Sequence, residues 1–106
     1  MHQSQASIEA LQQCAVACDH CAAACLQESN VAMMVRCIAL DTDCAAICRL
    51  ATSFIARGSD FADSACRLCA EICEACADEC GKHKSDHCQR CAEACHRCAQ
   101  ACRGAM

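Results

Sequence analysis

The stretch that decides the fold runs from Cys66 to Cys102 and reads CRLCAEICEACADEC (66–80), GKHKSDH (81–87) and CQRCAEACHRCAQAC (88–102). Each flanking half carries five cysteines, at successive steps of three, four, three and four residues. Because residues three and four apart share one face of an α-helix, each half predicts a helix with an unbroken line of thiols. The polar segment between them, with its two histidines, predicts a short turn that folds one helix back against the other.

The first half of the chain repeats this pattern with fewer cysteines. One helix carries them at 14, 18, 21 and 25, and the next carries them at 37, 44 and 48, with Met33 or Met34 continuing the line. Asp41 occupies a position where the period predicts another inward side chain, and the pattern leaves open whether it points inward or outward. Residues 1–6 are polar and are expected to fray. The predicted helices cover about 7–27, 31–56, 60–80 and 86–103.

These four segments predict one all-α domain over residues 1–106. The chain has no proline and only three glycines, and its many alanines favour helix. Gly58 and Gly81 each follow a helical segment, where glycine commonly ends a helix. Helices of about 20 residues joined by short turns predict an antiparallel up-down-up-down four-helix bundle with a cysteine-lined core.

Composition limits the classes of function. The net charge of −4 provides no basic surface for nucleic acid or an anionic membrane. No run approaches the roughly 18 apolar residues of a membrane span, and the N-terminal residues lack the pattern of a secretory signal. The chain is therefore expected to be cytoplasmic, where thiols stay reduced. A count of 17 cysteines in a reducing compartment then favours metal binding over disulfides, and the odd number also disfavours full pairing within one chain.

The arrangement of the cysteines favours one metal over others. Soft thiolates select Cu(I), Zn(II) and iron–sulfur clusters. Zinc prefers closed sites of four ligands, and no C-x2-C-x2-C-x3-C-P ferredoxin run occurs. A thiol-lined tube suits Cu(I), which bridging thiolates can hold at about one ion per cysteine, on the order of fifteen in all. An iron–sulfur electron-transfer protein and a structural or redox-active thiol bundle remain the alternatives.

The predicted topology gives the bundle two different ends. Met33, Met34, His83 and His87 lie at one end beside several cysteines, and we expect copper to enter and leave there. Leu11, Phe54, Ile55 and Phe61 are expected to close the other end. His20 and His96 adjoin inward cysteines and are expected at the surface. No arrangement typical of catalysis is present, so the protein is not expected to be an enzyme. The candidate thiolate ligands are all the cysteines: Cys14, Cys18, Cys21, Cys25, Cys37, Cys44, Cys48, Cys66, Cys69, Cys73, Cys76, Cys80, Cys88, Cys91, Cys95, Cys98 and Cys102.

Three segments together resemble a known family. CDHCAAACLQES (18–29), CIALDTDCAAIC (37–48) and the 66–102 stretch quoted above are similar to the cytosolic bacterial copper storage proteins. The resemblance extends from about Ile8 to Cys102 and departs at Ser7 and Leu11, where some relatives continue the cysteine line. It implies many thiolate-bound Cu(I) ions, histidines near the open end and a tetramer of bundles. Copper chaperones or small-thiol carriers are the expected partners for delivery.

Overall fold

The structure, a computed structural model, describes residues 2–105 and forms a four-helix bundle. The predicted all-α fold is confirmed, and the bundle measures 44 × 17 × 17 Å. A short 3-10 turn precedes the second α-helix and continues into it. The helices are α1 (His2–Cys25), α2 (Val35–Arg57), α3 (Ala62–Gly81) and α4 (Asp86–Ala105), and the 3-10 turn is Val31–Met34.

Each helix packs against two neighbours, which encloses a single central row of side chains. α1 and α3 each contact both α2 and α4. Cysteine lines the interior, and alanines beside the cysteines are also buried at Ala15, Ala45, Ala70, Ala77 and Ala99. Small side chains at these contacts let the helices approach closely, so thiols from different helices meet. Within residues 2–105, no helix is both long enough and apolar enough to cross a membrane.

The helix bounds differ from the sequence-based expectation at several places, among them both ends of α1 and the start of α2. α1 begins at His2 instead of near residue 7, because its polar first residues include no proline or glycine to stop the helical ladder. α1 ends at Cys25 instead of 27. The segment expected to start the second α-helix forms a 3-10 turn, in which the Met33 amide donates to the Asn30 carbonyl at 2.9 Å.

The glycine that was predicted to end the second helix does so. Gly58 has φ +66°, and its amide lies within reach of the Phe54 and Ile55 carbonyl oxygens. This left-handed conformation favours glycine, since a Cβ atom there is strained. The Ser59 hydroxyl oxygen then accepts a hydrogen bond from the Phe61 amide at 3.0 Å, which supports the turn into α3.

Candidate metal centre

All 17 cysteines are buried and free of disulfide bonds. Their sulfur atoms approach one another closely along the bundle axis, with Sγ–Sγ distances from 3.2 Å between Cys37 and Cys80 to 4.0 Å between Cys14 and Cys18. These contacts join all four helices. For example, the Cys14 sulfur atom lies within 3.9 Å of sulfur atoms on α2, α3 and α4. Together with the group Cys18/Cys76/Cys91/Cys95, whose sulfur atoms all lie within 4.8 Å of one another, these contacts join 15 of the thiols into one array and not separate pairs.

Groups of four ligand atoms small enough to surround a metal ion recur along this array. Within each group, all the ligand atoms lie within 4.8 Å of one another. The groups include Cys14/Cys44/Cys48/Cys73, Cys14/Cys18/Cys44/Cys95, Cys18/Cys76/Cys91/Cys95 and Cys48/Cys69/Cys73/Cys98. Because most of these cysteines belong to two groups, neighbouring metal ions would share sulfur ligands. Shared ligands are typical of a thiolate-bridged cluster and not of isolated four-ligand sites.

Burial favours the neutral form of the thiols near the two ends of the array. Removal from water raises the pKa of the Cys25, Cys66 and Cys88 thiols above the usual value, because it penalises the charged thiolate. These three thiols are thus neutral in the metal-free protein, where they pack as small apolar side chains. A metal ion must displace these protons in order to bind.

Asp41 points into the core, which settles the alternative that the sequence left open. Its side chain is fully buried, and one carboxyl oxygen lies 3.2 Å from the sulfur atoms of both Cys76 and Cys91 and 3.4 Å from that of Cys80. Cys37 contacts the other oxygen at 3.8 Å. Desolvation is the main cause that raises the pKa of this carboxyl to about 8. Asp41 thus places an oxygen ligand among the sulfur atoms of three helices.

At one end of the array, an imidazole completes a ligand group. The Nδ1 atom of His87 lies 3.5 Å from the sulfur atoms of both Cys21 and Cys88, and 3.9 Å from that of Cys25. Together they form a group of four that could hold a metal ion. His87 is partly buried, with 13% of its side chain exposed, so at this group the thiol array approaches solvent.

The other residues predicted for this end lie in different surroundings. The Nε2 atom of His83 lies 3.2 Å from a carboxylate oxygen of Glu79, one helical turn earlier. Met34 is buried in the core, whereas Met33 is 69% exposed and its sulfur atom lies 3.9 Å from the side-chain nitrogen of Asn30. The structure therefore brings His87, and not His83 or Met33, into contact with the thiols. The role of these side chains as copper ligands stays a prediction.

At the opposite end, apolar side chains take the place of thiols. Leu11 is fully buried on the α1 line, and Phe54 and Ile55 pack partly buried against the core. Buried Ser7 donates a hydrogen bond to the Ala101 carbonyl oxygen at 3.2 Å. The expectation that Phe61 helps to close this end is wrong, because its side chain is 66% exposed. Phe61 lies in the turn just before α3, where its side chain is outside the inward-facing line.

Sequence reasoning missed one residue of this site. Glu28 lies in the connection after α1, which the sequence marked only as a turn. Its carboxylate oxygen is 2.8 Å from the Nε2 atom of His87, on the opposite side of the ring from the thiols. The available signal was topological, since the end of α1 and the α3–α4 turn meet at the same end of the bundle. His20 and His96 are exposed, as their positions beside inward cysteines predicted.

The fold and the site define a helical bundle that encloses a continuous row of soft-metal ligands. The chain belongs to the copper storage protein family, whose model matches residues 1–106. The family resemblance noted in the sequence is therefore confirmed. Among curated protein sequences, no significant match is found.

Solved structures of copper storage proteins also resemble this chain. The chain is 51% identical to the Cu(I)-bound copper storage protein BsCsp3, with 96% of each chain covered and a TM-score of 0.93. It is 50% identical to apo copper storage protein 3 from Bacillus subtilis, with 95% of this chain and 96% of that chain covered and a TM-score of 0.89. A cytosolic copper storage protein from Streptomyces lividans, described with five coppers, is 38% identical, with 97% and 91% coverage and a TM-score of 0.94.

Proposed function

We propose that this protein stores multiple Cu(I) ions in the cytosol on thiolates that line the core of the bundle. One observation carries the proposal: all 17 cysteines are buried and free, and most of them take part in short sulfur–sulfur contacts along the core. Structural packing does not require this composition, since leucine and isoleucine fill a core better than thiols do. Membership of the copper storage protein family supports a storage role over catalysis.

The geometry supports Cu(I) over the other thiophilic metals. Cu(I) accepts sulfur ligands that bridge neighbouring ions, and the overlapping groups of this core supply such ligands along its length. A structural zinc site is a closed set of four ligands that are not shared. The iron–sulfur and redox-bundle alternatives are not favoured, because the chain belongs to a copper storage family and resembles Cu(I)-bound members.

The two ends of the bundle support a direction for copper movement. His87 offers an imidazole nitrogen beside Cys21, Cys25 and Cys88, where the array approaches solvent. Leu11 and Ser7 occupy the corresponding α1 positions at the far end. Copper therefore enters and leaves at the His87 end. Met33, Met34 and His83 assist at the same end as further ligands.

Asp41 contributes to storage from within the core. A copper ion among Cys76, Cys80 and Cys91 would displace their thiol protons and the Asp41 proton, and would take the resulting carboxylate as an additional oxygen ligand. The Asp41 side chain keeps one acceptor oxygen in place among the sulfur atoms of three helices. It therefore fixes where one cluster forms along the bundle.

The bundle is expected to assemble as a tetramer, as the family resemblance implies. Support comes from exposed apolar side chains on the outer faces of the helices, among them Val16, Leu50 and Leu68. A groove of about 730 Å³ also runs between α1 and α4. Copper chaperones or small-thiol carriers deliver the metal. Sedimentation analysis of the purified protein tests the tetramer directly.

Metal analysis of the protein from copper-fed cells tests the storage role. After anaerobic purification, storage predicts many copper ions per chain, with little iron, zinc or acid-labile sulfide. Iron with matching sulfide would instead indicate an iron–sulfur protein. For the entry end, we expect a His87→Ala protein to load copper more slowly than wild type but to reach nearly the same capacity. An unchanged loading rate would contradict entry at this end.

A further inference from the structure

We infer that Glu28 is a positioning residue that orients His87 toward incoming copper. This inference rests on the proposed function and deepens it at the entry end. The observation is the juxtaposition of a carboxylate, an imidazole ring and three thiols in that order, contributed by two helices and the connection after α1. Among the described residues, Glu28 makes no hydrogen bond to a thiol sulfur atom, so it acts through the His87 ring.

The geometry assigns each ring nitrogen of His87 a different partner. Nε2 lies 2.8 Å from the Glu28 carboxylate oxygen, which is a pure acceptor, so the proton on the neutral ring resides on Nε2. Nδ1 then carries the lone pair, and it faces the sulfur atoms of Cys21 and Cys88 at 3.5 Å. The ring therefore presents its metal-binding nitrogen to the thiol group before any copper arrives.

This bond also restrains the direction of the ring. Metal-binding histidines generally donate their second ring N–H to a carboxylate, a carbonyl oxygen or water, which fixes both the tautomer and the ring orientation. Without an acceptor at Glu28, the ring can rotate about χ2 or hold its proton on Nδ1, and either change removes the lone pair from the thiols. Since Glu28 lies 59 residues from His87 in the chain, the bond additionally ties the α1 connection across the mouth to α4.

The Glu79–His83 contact differs in kind from the Glu28–His87 contact. Those two residues lie four apart on one stretch of chain, and their contact is a local helix-end pair. Glu28 instead reaches across the bundle to a ring that already touches thiols. A local pair stabilises a helix end, whereas the Glu28 contact aims a candidate ligand.

Glu28→Ala and Glu28→Gln test the inference in the full-length reduced protein. Ring nitrogen chemical shifts of His87, measured by 15N NMR without metal, report the tautomer. Anaerobic competition with a Cu(I) chelator reports the affinity for the first equivalents of copper. Asp19→Ala is the matched control, since it removes a carboxylate from an exposed pair with Arg49 away from the thiols.

We expect wild type to show protonated Nε2 and unprotonated Nδ1, and Glu28→Ala to lose this pattern. The loss of an outer partner of a metal ligand typically weakens binding about 10- to 100-fold, and we expect this for the first equivalents of copper. Glu28→Gln retains an acceptor oxygen and should keep the wild-type pattern and affinity. The Asp19→Ala protein should match wild type in both measurements.

A double-mutant cycle with His87→Ala separates positioning from a general structural effect. If Glu28 acts through the ring, Glu28→Ala has no further effect on affinity in the His87→Ala protein. An equal loss in both backgrounds, an unchanged ring signature in Glu28→Ala, or a Glu28→Gln protein as weak as Glu28→Ala would overturn the inference. Failure of the storage proposal is distinct, since wild type itself would then bind only one or two copper ions.

Discussion

Replacing Asp41 with asparagine should change how the stability of the metal-free protein depends on pH. The buried carboxyl has a pKa of about 8, against 3.8 for the ordinary group, and desolvation is the main cause. Between these values the folded protein retains a proton on Asp41 that the unfolded chain has released. Because the folded state binds more protons, its stability falls as pH rises through this window and is greatest below the unfolded pKa.

The size of the effect follows from the same shift. Each pH unit inside the window costs 1.36 kcal/mol, so the Asp41 contribution should fall by roughly 3 kcal/mol between pH 5 and pH 7.5. Asparagine does not titrate, so Asp41→Asn should lack this slope and should gain stability relative to wild type as pH rises. Its oxygen can still accept from the Cys76 and Cys91 thiols at the positions now 3.2 Å from the carboxyl.

Urea unfolding followed by circular dichroism measures this difference. The protein is kept fully reduced and metal-free, and free energies of unfolding are compared at several pH values from 5 to 7.5. Other titrating groups are common to both proteins and cancel in the comparison. Asp43→Asn, an exposed carboxylate on the same helix, is the control and should leave the wild-type slope intact. A constant difference between wild type and Asp41→Asn across this range would refute a buried, protonated Asp41.

Three further predictions concern the closed end, the protons and a turn. Leu11→Cys should extend the α1 thiol line and raise the Cu(I) capacity by about one ion, and its stability cost should be below the roughly 2–5 kcal/mol of a buried Leu→Ala change. A Cu(I) titration that shows unchanged capacity would contradict this. Copper loading should release about one proton per newly bound thiol and weaken as pH falls, because burial raises the pKa of thiols such as Cys66. A pH-stat titration measures the released protons, and loading without proton release would contradict the prediction. Gly58→Ala should destabilise the metal-free protein by about 1 kcal/mol, because Gly58 has a positive φ, although the added Cβ meets no other atom; Gly81→Ala should cause no such loss. Equal melting temperatures for the two variants would contradict this strain argument.

The fold was predictable because the cysteine spacing carries a clear helical period. Steps of three and four define one face, and glycine and polar segments mark the turns, so four helices and an inward thiol line followed directly. The period also placed Leu11 on the line at the closed end, where it is fully buried. These features depend on local geometry, which the sequence expresses within a few residues.

Features that depend on competing energies or on distant contacts were not predictable in the same way. Burying the Asp41 carboxyl costs desolvation free energy, and the inward position is tolerated because thiols on other helices donate hydrogen bonds to it. The sequence of α2 alone does not reveal these partners. The 3-10 turn before α2 shifts the helical phase, so Met34 is buried and Met33 exposed. Glu28 contacts His87 through tertiary structure alone, which a helical period cannot reveal.

The most direct test of copper storage is an anaerobic Cu(I) titration of the fully reduced protein in the presence of a chromogenic Cu(I) chelator. A core lined by 17 buried, free thiols predicts that the chelator stays colourless until about one Cu(I) per cysteine has been added, on the order of fifteen ions per chain. Helical circular dichroism should change little during loading, since the bundle is already formed. Colour after one or two equivalents would contradict the storage function.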